Sequence, residues 1–360
     1  MNGSRRFARV SRALLAVMAT TVGAIGVHAE AGARSEESSA RRLVGSVVPF
    51  WCQWIPPQWW PPECRPTPPP PTSTTTTTST TTTVPGGSTT IPSSTTTTTV
   101  VPGGSVEAHF AEGGPWAVSS VSASDAAGSY VVFHPTNLGA SGFRHPIVTW
   151  GNGTGSTPGN YDFTLRHLAS WGFVVVASTS GQTGWGTEVL AAADYMLRQH
   201  GETASPFFQK LDVANVAALG HSQGATGAVN AQILSDGRIS SIVPINFVDP
   251  MWFNPPEQMP AFGEVDAPIF FLTGGSDFLS TPTAQQNYYN QVPGAALKAA
   301  LVGAGHNEIQ QTDNDMVGYA TAWLMYTLRD DGFARTAFVG SPSQIAADSG
   351  WQHHAQKNLP

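Results

Sequence analysis

A serine between two glycines stands where an apolar run gives way to small residues, in the stretch VAALGHSQGATGA at 216–228. A serine hydroxyl is a poor nucleophile near neutral pH and needs a positioned base. If a strand turns sharply into a helix at Ser222, its side chain projects from the backbone, and only glycine at 220 and 224 avoids a collision there. The pattern predicts a nucleophile at Ser222, at the carboxyl end of a strand and facing a helix N-terminus.

The G-x-S-x-G pattern also predicts an acid and then a histidine further along the chain. Asp277 follows the apolar run in APIFFLTGGSDFLSTP, and His306 follows the run in LVGAGHNE. Both stand in glycine-rich loops after strands, where a parallel sheet binds its ligands. Asp249, after the preceding strand, is a rival acid, and His221 is a rival base. Neighbours in a sharp turn point in different directions, so we expect a structural role for His221.

Ester cleavage passes through an oxyanion that needs N–H donors, each typically worth about 3 kcal/mol. One predicted donor is the backbone N–H of Gln223, the residue after the nucleophile. The second is expected in the loop WGNGTGSTPGNYD, where glycines can turn backbone amides inward, and both Asn152 and Gly153 are candidates. Five residues near these loops could line a substrate cleft or belong to the core: Trp150, Tyr161, Trp185, Phe278 and Leu279.

Short apolar runs alternate with helical patterns over 106–360. The β-rich runs lie at 129–135, 146–152, 173–179, 216–222, 241–248, 267–274 and 297–304. Helical patterns cover 163–172 and 187–201, and Thr187 is the candidate N-cap of the second. Continuous apolar strands that alternate with amphipathic helices predict an α/β domain, with a mostly parallel sheet of about eight strands flanked by helices.

The first 105 residues differ in composition from the rest. Arginines precede an apolar run that ends near Ala29, so 1–29 is predicted to be a secretory signal peptide. Residues 30–65 form a short Trp/Pro-rich segment, in which Cys52 and Cys64 are expected to form a disulfide in an exported protein. Its tryptophans either bind a polymer surface or pack against the main domain. Residues 66–105 are a Thr/Pro-rich linker, expected to be disordered.

Charge and hydropathy narrow the possible partners. The formal net charge is −7, charged residues make up 11% of the chain, and no basic cluster follows the predicted signal. This argues against a nucleic-acid partner. No later run is long and apolar enough to span a membrane. We therefore expect a secreted monomer with no membrane partner, which needs no cofactor and no metal.

The chain resembles the α/β-hydrolase serine esterases, in particular the bacterial cutinase-like polyester hydrolases (the PET hydrolase group) and their dienelactone-hydrolase-like relatives. The resemblance lies in the blocks YVVFHPTNLGASG, RHLASWGFVVVAST, GHSQG, GSDFL and AWLMYTLRDDGFARTAFVG, and it covers nearly all of 115–340. It implies an α/β-hydrolase fold and ester hydrolysis by Ser222, His306 and Asp277. Gln223 departs from the group, which usually has methionine at that position.

Together these features predict a secreted carboxylic-ester hydrolase that acts on a polyester or cutin-like polymer. Two other enzyme classes fit the same residues: a carbohydrate esterase that removes acetyl or feruloyl groups, and a small-molecule esterase or lipase. Outside the enzymes, the domain could be a surface-binding protein whose triad geometry has decayed. Measurements on substrates are needed to separate these four.

Overall fold

The computed structural model describes residues 105–253 and 255–360. The predicted signal peptide, the segment with Cys52 and Cys64, and the linker up to residue 104 lie outside the described residues. Among the residues that are described, none belongs to a helix long and apolar enough to cross a membrane.

The strands of this part of the chain are β1 Val118–Asp125, β2 Gly128–Pro135, β3 His145–Gly151, β4 Val174–Ser178, β5 Leu211–His221, β6 Ser241–Ile245, β7 Ile269–Gly274, β8 Ala296–Leu301 and β9 Trp351–Lys357. They form a single sheet in the order β1-β2-β4-β3-β5-β6-β7-β8-β9. Strands β4, β3, β5, β6, β7 and β8 are neighbours in that order and run parallel. The pairs β1–β2, β2–β4 and β8–β9 are antiparallel. The predicted mostly parallel sheet is confirmed.

Helices cover both faces of the sheet. The α-helices of the described ranges are α1 Val106–Ala111, α2 Asp162–Ser170, α3 Thr187–Gly201, α4 Gln223–Leu234, α5 Pro282–Gln291, α6 Met316–Arg329, α7 Gly332–Arg335 and α8 Gln344–Ala347. Strand β3 is buried on both faces, since Val148 packs into the core layer under α1, α2 and α6, and Ile147 packs into the opposite layer under α3, α4 and α5.

The structure adds two strands to the predicted elements and corrects one helix cap. Strands β1 and β9 were not among the predicted runs, because their sequences, VSSVSASD and WQHHAQK, are mostly polar and occupy the two edges of the sheet. The expected N-cap role of Thr187 is wrong. Gly186, with φ of 81°, takes the N-cap position, and the Thr187 hydroxyl donates to the Glu188 carboxylate instead.

Candidate active site

A strained turn joins β5 to α4 at Ser222, which has φ of 57° and ψ of −120°. L-residues rarely adopt this region, so the surrounding structure must hold it. A Cβ on Gly220 would lie 2.1 Å from the carbonyl oxygen of Gly224, and one on Gly224 would lie 2.0 Å from that of Gly151. Both distances are far too short for a methyl group, so this turn requires glycine at 220 and 224.

Three side chains from separate loops meet at the carboxyl edge of the sheet. Ser222 follows β5, Asp277 follows β7 and His306 follows β8. The His306 Nε2 lies 2.9 Å from Ser222 Oγ, and the His306 Nδ1 lies 2.7 Å from Asp277 Oδ2. The Asp277 and His306 side chains are buried. The structure therefore brings together the three residues singled out in the sequence, while their catalytic roles remain a prediction.

Hydrogen bonding fixes which nitrogen of His306 carries the proton. The ionised Asp277 carboxylate can only accept, so the Nδ1 of His306 donates to it. The neutral imidazole then has its lone pair on Nε2, next to the Ser222 hydroxyl. The other Asp277 oxygen accepts the N–H of Leu279 at 2.8 Å, which orients the carboxylate. This is the order of partners that a serine nucleophile and its general base require.

The loops that carry Asp277 and His306 pack directly against each other. The N–H of Ser276 donates to the Ala304 carbonyl at 2.8 Å. A Cβ on Gly274 would lie only 2.5 Å from that same carbonyl oxygen. The absence of a side chain at 274 thus lets the loop of Asp277 approach the loop of His306 closely enough for the 2.7 Å contact between the two side chains.

The rival residues have other partners in the structure. The Asp249 carboxylate accepts the N–H and the hydroxyl of Thr281, both at 2.7 Å, next to the first turn of α5. The buried His221 has its Nε2 2.7 Å from the His306 carbonyl oxygen and its Nδ1 3.0 Å from the Tyr161 hydroxyl. Burial lowers the pKa of His221 well below its ordinary value, and nearby His306 lowers it further. His221 is therefore a neutral group that contacts the histidine's backbone.

The three candidate oxyanion donors, Gln223, Asn152 and Gly153, differ in the contacts that their N–H groups make. Gln223 is the first residue of α4, where a backbone N–H has no acceptor within its own helix, so its predicted role stands untested. The prediction for Gly153 is corrected by the structure, because its N–H already donates to the Tyr161 hydroxyl at 3.0 Å. The side-chain amide of Asn152 points away, and it donates to the carbonyls of Ser178 and Ser180. Of the two candidates for the second donor, the backbone N–H of Asn152 therefore remains, and its role is a prediction.

Two of the five cleft candidates are core residues. Trp150 and Tyr161 are almost fully buried and lie against each other, with ring centroids 4.9 Å apart, so a cleft-lining role is wrong for them. Leu279 is largely buried as well. Trp185 is 47% exposed and Phe278 is 40% exposed, which keeps both available to a substrate.

Residues beside the site were missed by the sequence analysis. Trp252 is 40% exposed with its ring centroid 6.5 Å from that of Phe278, and Met251 next to it is 79% exposed. Both follow β6, and their position after a strand of the parallel sheet was the signal that could have placed them here.

The Gln223 side chain accepts the Thr183 N–H at 3.1 Å and donates to the Gln182 amide oxygen at 3.1 Å. A pair of side-chain amides, from Gln223 and Gln182, therefore lies beside Ser222.

Among the described residues, no group of three or more His, Cys, Asp or Glu side chains is placed to hold a metal ion. A comparison with models of protein families matches residues 94–356 to the model described as PETase, PET hydrolase-like. A comparison with curated proteins gives no match.

Proposed function

The chain belongs to the PET hydrolase-like family, and from this premise we propose that it is a secreted serine carboxylic-ester hydrolase acting on polymeric esters of the polyester or cutin type. The observation that carries the proposal is the pair of hydrogen bonds, 2.9 Å and 2.7 Å long, that connects Ser222 through His306 to Asp277.

In the proposed mechanism, the Ser222 oxygen attacks the ester carbonyl carbon while its proton moves to Nε2 of His306. Asp277 stabilises the imidazolium that forms, through the bond from Nδ1. The N–H of Gln223 and the backbone N–H of Asn152 are the proposed donors to the oxyanion. His306 then protonates the leaving alcohol. Water, deprotonated by the same imidazole, cleaves the acyl-enzyme to release the carboxylic acid and restore the serine.

Exposed aromatic side chains support a polymeric or aromatic substrate. Trp252 and Phe278 form an edge-to-face pair next to Asp277, and Met251 adds a flexible apolar group. Trp185 follows Gly184, where a Cβ would lie 2.8 Å from Cγ of Gln223, so this tryptophan is also close to the turn that carries Ser222. Exposed apolar groups clustered around a site often mark a contact surface.

The organisation of the whole chain is proposed on the same basis. The predicted signal peptide at 1–29 supports secretion, and the predicted linker at 66–105 would separate the Trp/Pro-rich segment from the domain at 106–360. We propose that this segment, closed by a Cys52–Cys64 disulfide, helps the protein adsorb to a solid substrate and that the protein acts as a monomer.

A carbohydrate esterase is the second candidate, and one observation favours it. The side-chain amides of Gln223 and Gln182 form a hydrogen-bonded pair beside the proposed nucleophile. The polyester hydrolases usually carry methionine at the position of Gln223. Side-chain amides suit the hydroxyl groups of a sugar better than an apolar polymer chain.

Two assays test the proposal. Turnover of a p-nitrophenyl ester by the wild type should be lost in Ser222→Ala and retained in Ser122→Ala, a control on the exposed edge strand β1. Equal background rates in the wild type and Ser222→Ala would refute hydrolysis by this site. Product release from polyester film and from acetylated xylan then separates the two substrate classes, because the polyester proposal requires the film to be the faster substrate.

A further inference from the structure

A buried histidine outside the Ser222–His306–Asp277 set connects two parts of the site. The Nε2 of His221 lies 2.7 Å from the carbonyl oxygen of His306, and the two rings are 4.8 Å apart. The Nδ1 of His221 lies 3.0 Å from the Tyr161 hydroxyl, which also receives the N–H of Gly153 at 3.0 Å. A continuous chain of hydrogen bonds therefore runs from the loop after β3 to the backbone of His306.

The direction of each hydrogen bond in this chain is determined. A carbonyl oxygen can only accept, so Nε2 of His221 carries the proton and donates to His306. Burial keeps the ring neutral by lowering its pKa, so Nδ1 is bare and accepts the Tyr161 O–H. Burial raises the pKa of Tyr161, which keeps that proton in place. The tyrosine oxygen is left to accept from Gly153 and from the Gln310 side-chain amide at 3.2 Å.

The His306 carbonyl has a second donor. The Nδ2 of Asn246 also donates to it, while Oδ1 of Asn246 accepts the N–H of Gly274 at 2.7 Å. Asn246 follows β6 and has φ of 50°, so it is held in the left-handed region to make these contacts. Two donors from neighbouring strands thus fix one carbonyl group, and the backbone of His306 has little freedom to move its ring away from Ser222.

We propose that His221 and Tyr161 are positioning residues, which hold the His306 backbone and the loop after β3 in register with Ser222. The proposal rests on the proposed function, since it assigns these residues to the same site. Space filling alone does not explain them, because an apolar side chain at 221 would leave both the Tyr161 O–H and one side of the His306 carbonyl without a partner in a buried site.

Two substitutions at 221 separate its two hydrogen bonds. The amide nitrogen of glutamine in His221→Gln can take the place of Nε2 and keep the donor to His306, whereas the shorter His221→Asn keeps an acceptor for Tyr161 and loses that donor. Tyr161→Phe keeps the ring and removes only the oxygen. His167→Gln is the matched control, since His167 is also buried, with Nε2 2.8 Å from the Phe110 carbonyl and away from Ser222.

With a soluble p-nitrophenyl ester, kcat of His221→Asn should fall roughly 10- to 100-fold while KM stays within about twofold, because a misplaced base weakens the transition state more than binding. His221→Gln should recover most of that loss. Tyr161→Phe should fall between wild type and His221→Asn, and His167→Gln should keep the wild-type kcat. A folded His221→Asn or Tyr161→Phe with wild-type kcat would overturn the proposal.

A second measurement does not depend on turnover. The proton between Nδ1 of His306 and Asp277 should give a downfield NMR signal, whose chemical shift changes in His221→Asn and stays in place in His167→Gln. An unchanged shift in His221→Asn would contradict positioning, even if the chain hydrolyses no ester at all. Conversely, a changed shift in a protein without esterase activity would uphold the positioning and refute the proposed function.

Discussion

At the scale of single residues, the turn at Ser222 depends on contacts that a side chain would prevent. Three glycines, at 151, 220 and 224, let the backbones of β3, β5 and α4 approach to distances at which no Cβ fits. These contacts hold Ser222 at φ of 57°, a conformation that costs of the order of 1–3 kcal/mol in an unconstrained residue. The strain places the hydroxyl at the sheet edge, where His306 reaches it.

The two aspartates considered as the acid make opposite predictions. Asp277→Asn should lower kcat by about 10⁴-fold, because an amide in place of the carboxylate favours the wrong tautomer of His306 and cannot stabilise its charged form. Asp249→Asn should change kcat little and lower thermal stability slightly, since the Asp249 carboxylate accepts the N–H and the hydroxyl of Thr281 near the start of α5. Steady-state kinetics with a soluble ester checks both, and a comparable loss in the two variants would count against the assignment.

The sequence located the three principal side chains because each follows a recognisable strand and a glycine-rich turn, and strand ends converge at one sheet edge. It could not decide between core and cleft for Trp150 and Tyr161, whose orientation depends on the path of the loop after β3. The occupied N–H of Gly153 was equally hidden, because its acceptor lies on a residue eight positions away.

At the scale of elements, helix α1 is joined to β9 by a hydrogen bond to the carboxyl group of Glu107, whose pKa is raised. The Trp351 indole N–H donates to Glu107 at 2.6 Å, and Asp348 nearby accepts the Tyr319 hydroxyl at 3.1 Å. Burial, together with the neighbouring charges of Asp348 and Asp315, raises the pKa of Glu107 to about 7. In the unfolded chain the same carboxyl titrates near 4.5.

This difference makes the stability of the domain depend on pH. Between these two pKa values the native state holds a proton that the unfolded chain has released, so the contribution of Glu107 to the free energy of unfolding falls as pH rises from about 4.5 to about 7 and is constant above that. Glu107→Gln removes the titration and keeps the acceptor for Trp351. From about pH 5 to about pH 8, the free energy of unfolding of the variant should rise by on the order of 1–2 kcal/mol relative to that of the wild type. This energy is reduced because solvent screens the half-buried carboxyl group.

Denaturant unfolding at the two pH values measures that gain. Glu112→Gln is the control, since Glu112 is an exposed residue just after α1. A stability difference between Glu107→Gln and wild type that is the same at both pH values would show that Glu107 does not titrate in this range.

Elements with two buried faces were predictable from the sequence, and edge elements were not. The apolar runs of β3, β4 and β7 lie within a residue or two of their predicted bounds, because strands buried on both sides are rich in apolar residues, while β6 ends at Ile245, three residues before its predicted end. Strand β5 begins at Leu211, five residues before its predicted start, since a register shift between Pro146 and Ile147 moves its pairing along β3. The fastening of α1 to β9 joins residues 244 positions apart, which no local pattern reveals.

At the scale of the whole molecule, the exposed apolar groups near Ser222 should matter more for a solid substrate than for a dissolved one. Trp252→Ala should weaken adsorption to polyester film and slow product release from it, with turnover of a soluble ester within about twofold, because exposed aromatic groups contribute buried area on contact. Leu234→Ala is the control, as Leu234 is 51% exposed at the far end of α4. Equal adsorption of the two variants would remove Trp252 from the contact surface.

The proposed nucleophile Ser222, base His306 and acid Asp277 come from the loops after β5, β8 and β7, and the turn that carries Ser222 also needs β3 in place. No fragment smaller than this group of strands contains a working assembly. On dilution from denaturant, ester turnover should therefore recover later than the helical circular dichroism signal. The recovered activity is then proportional to the fraction of chains that have folded completely. If Ser222, His306 and Asp277 act as proposed, a partly folded chain has no hydrolytic activity.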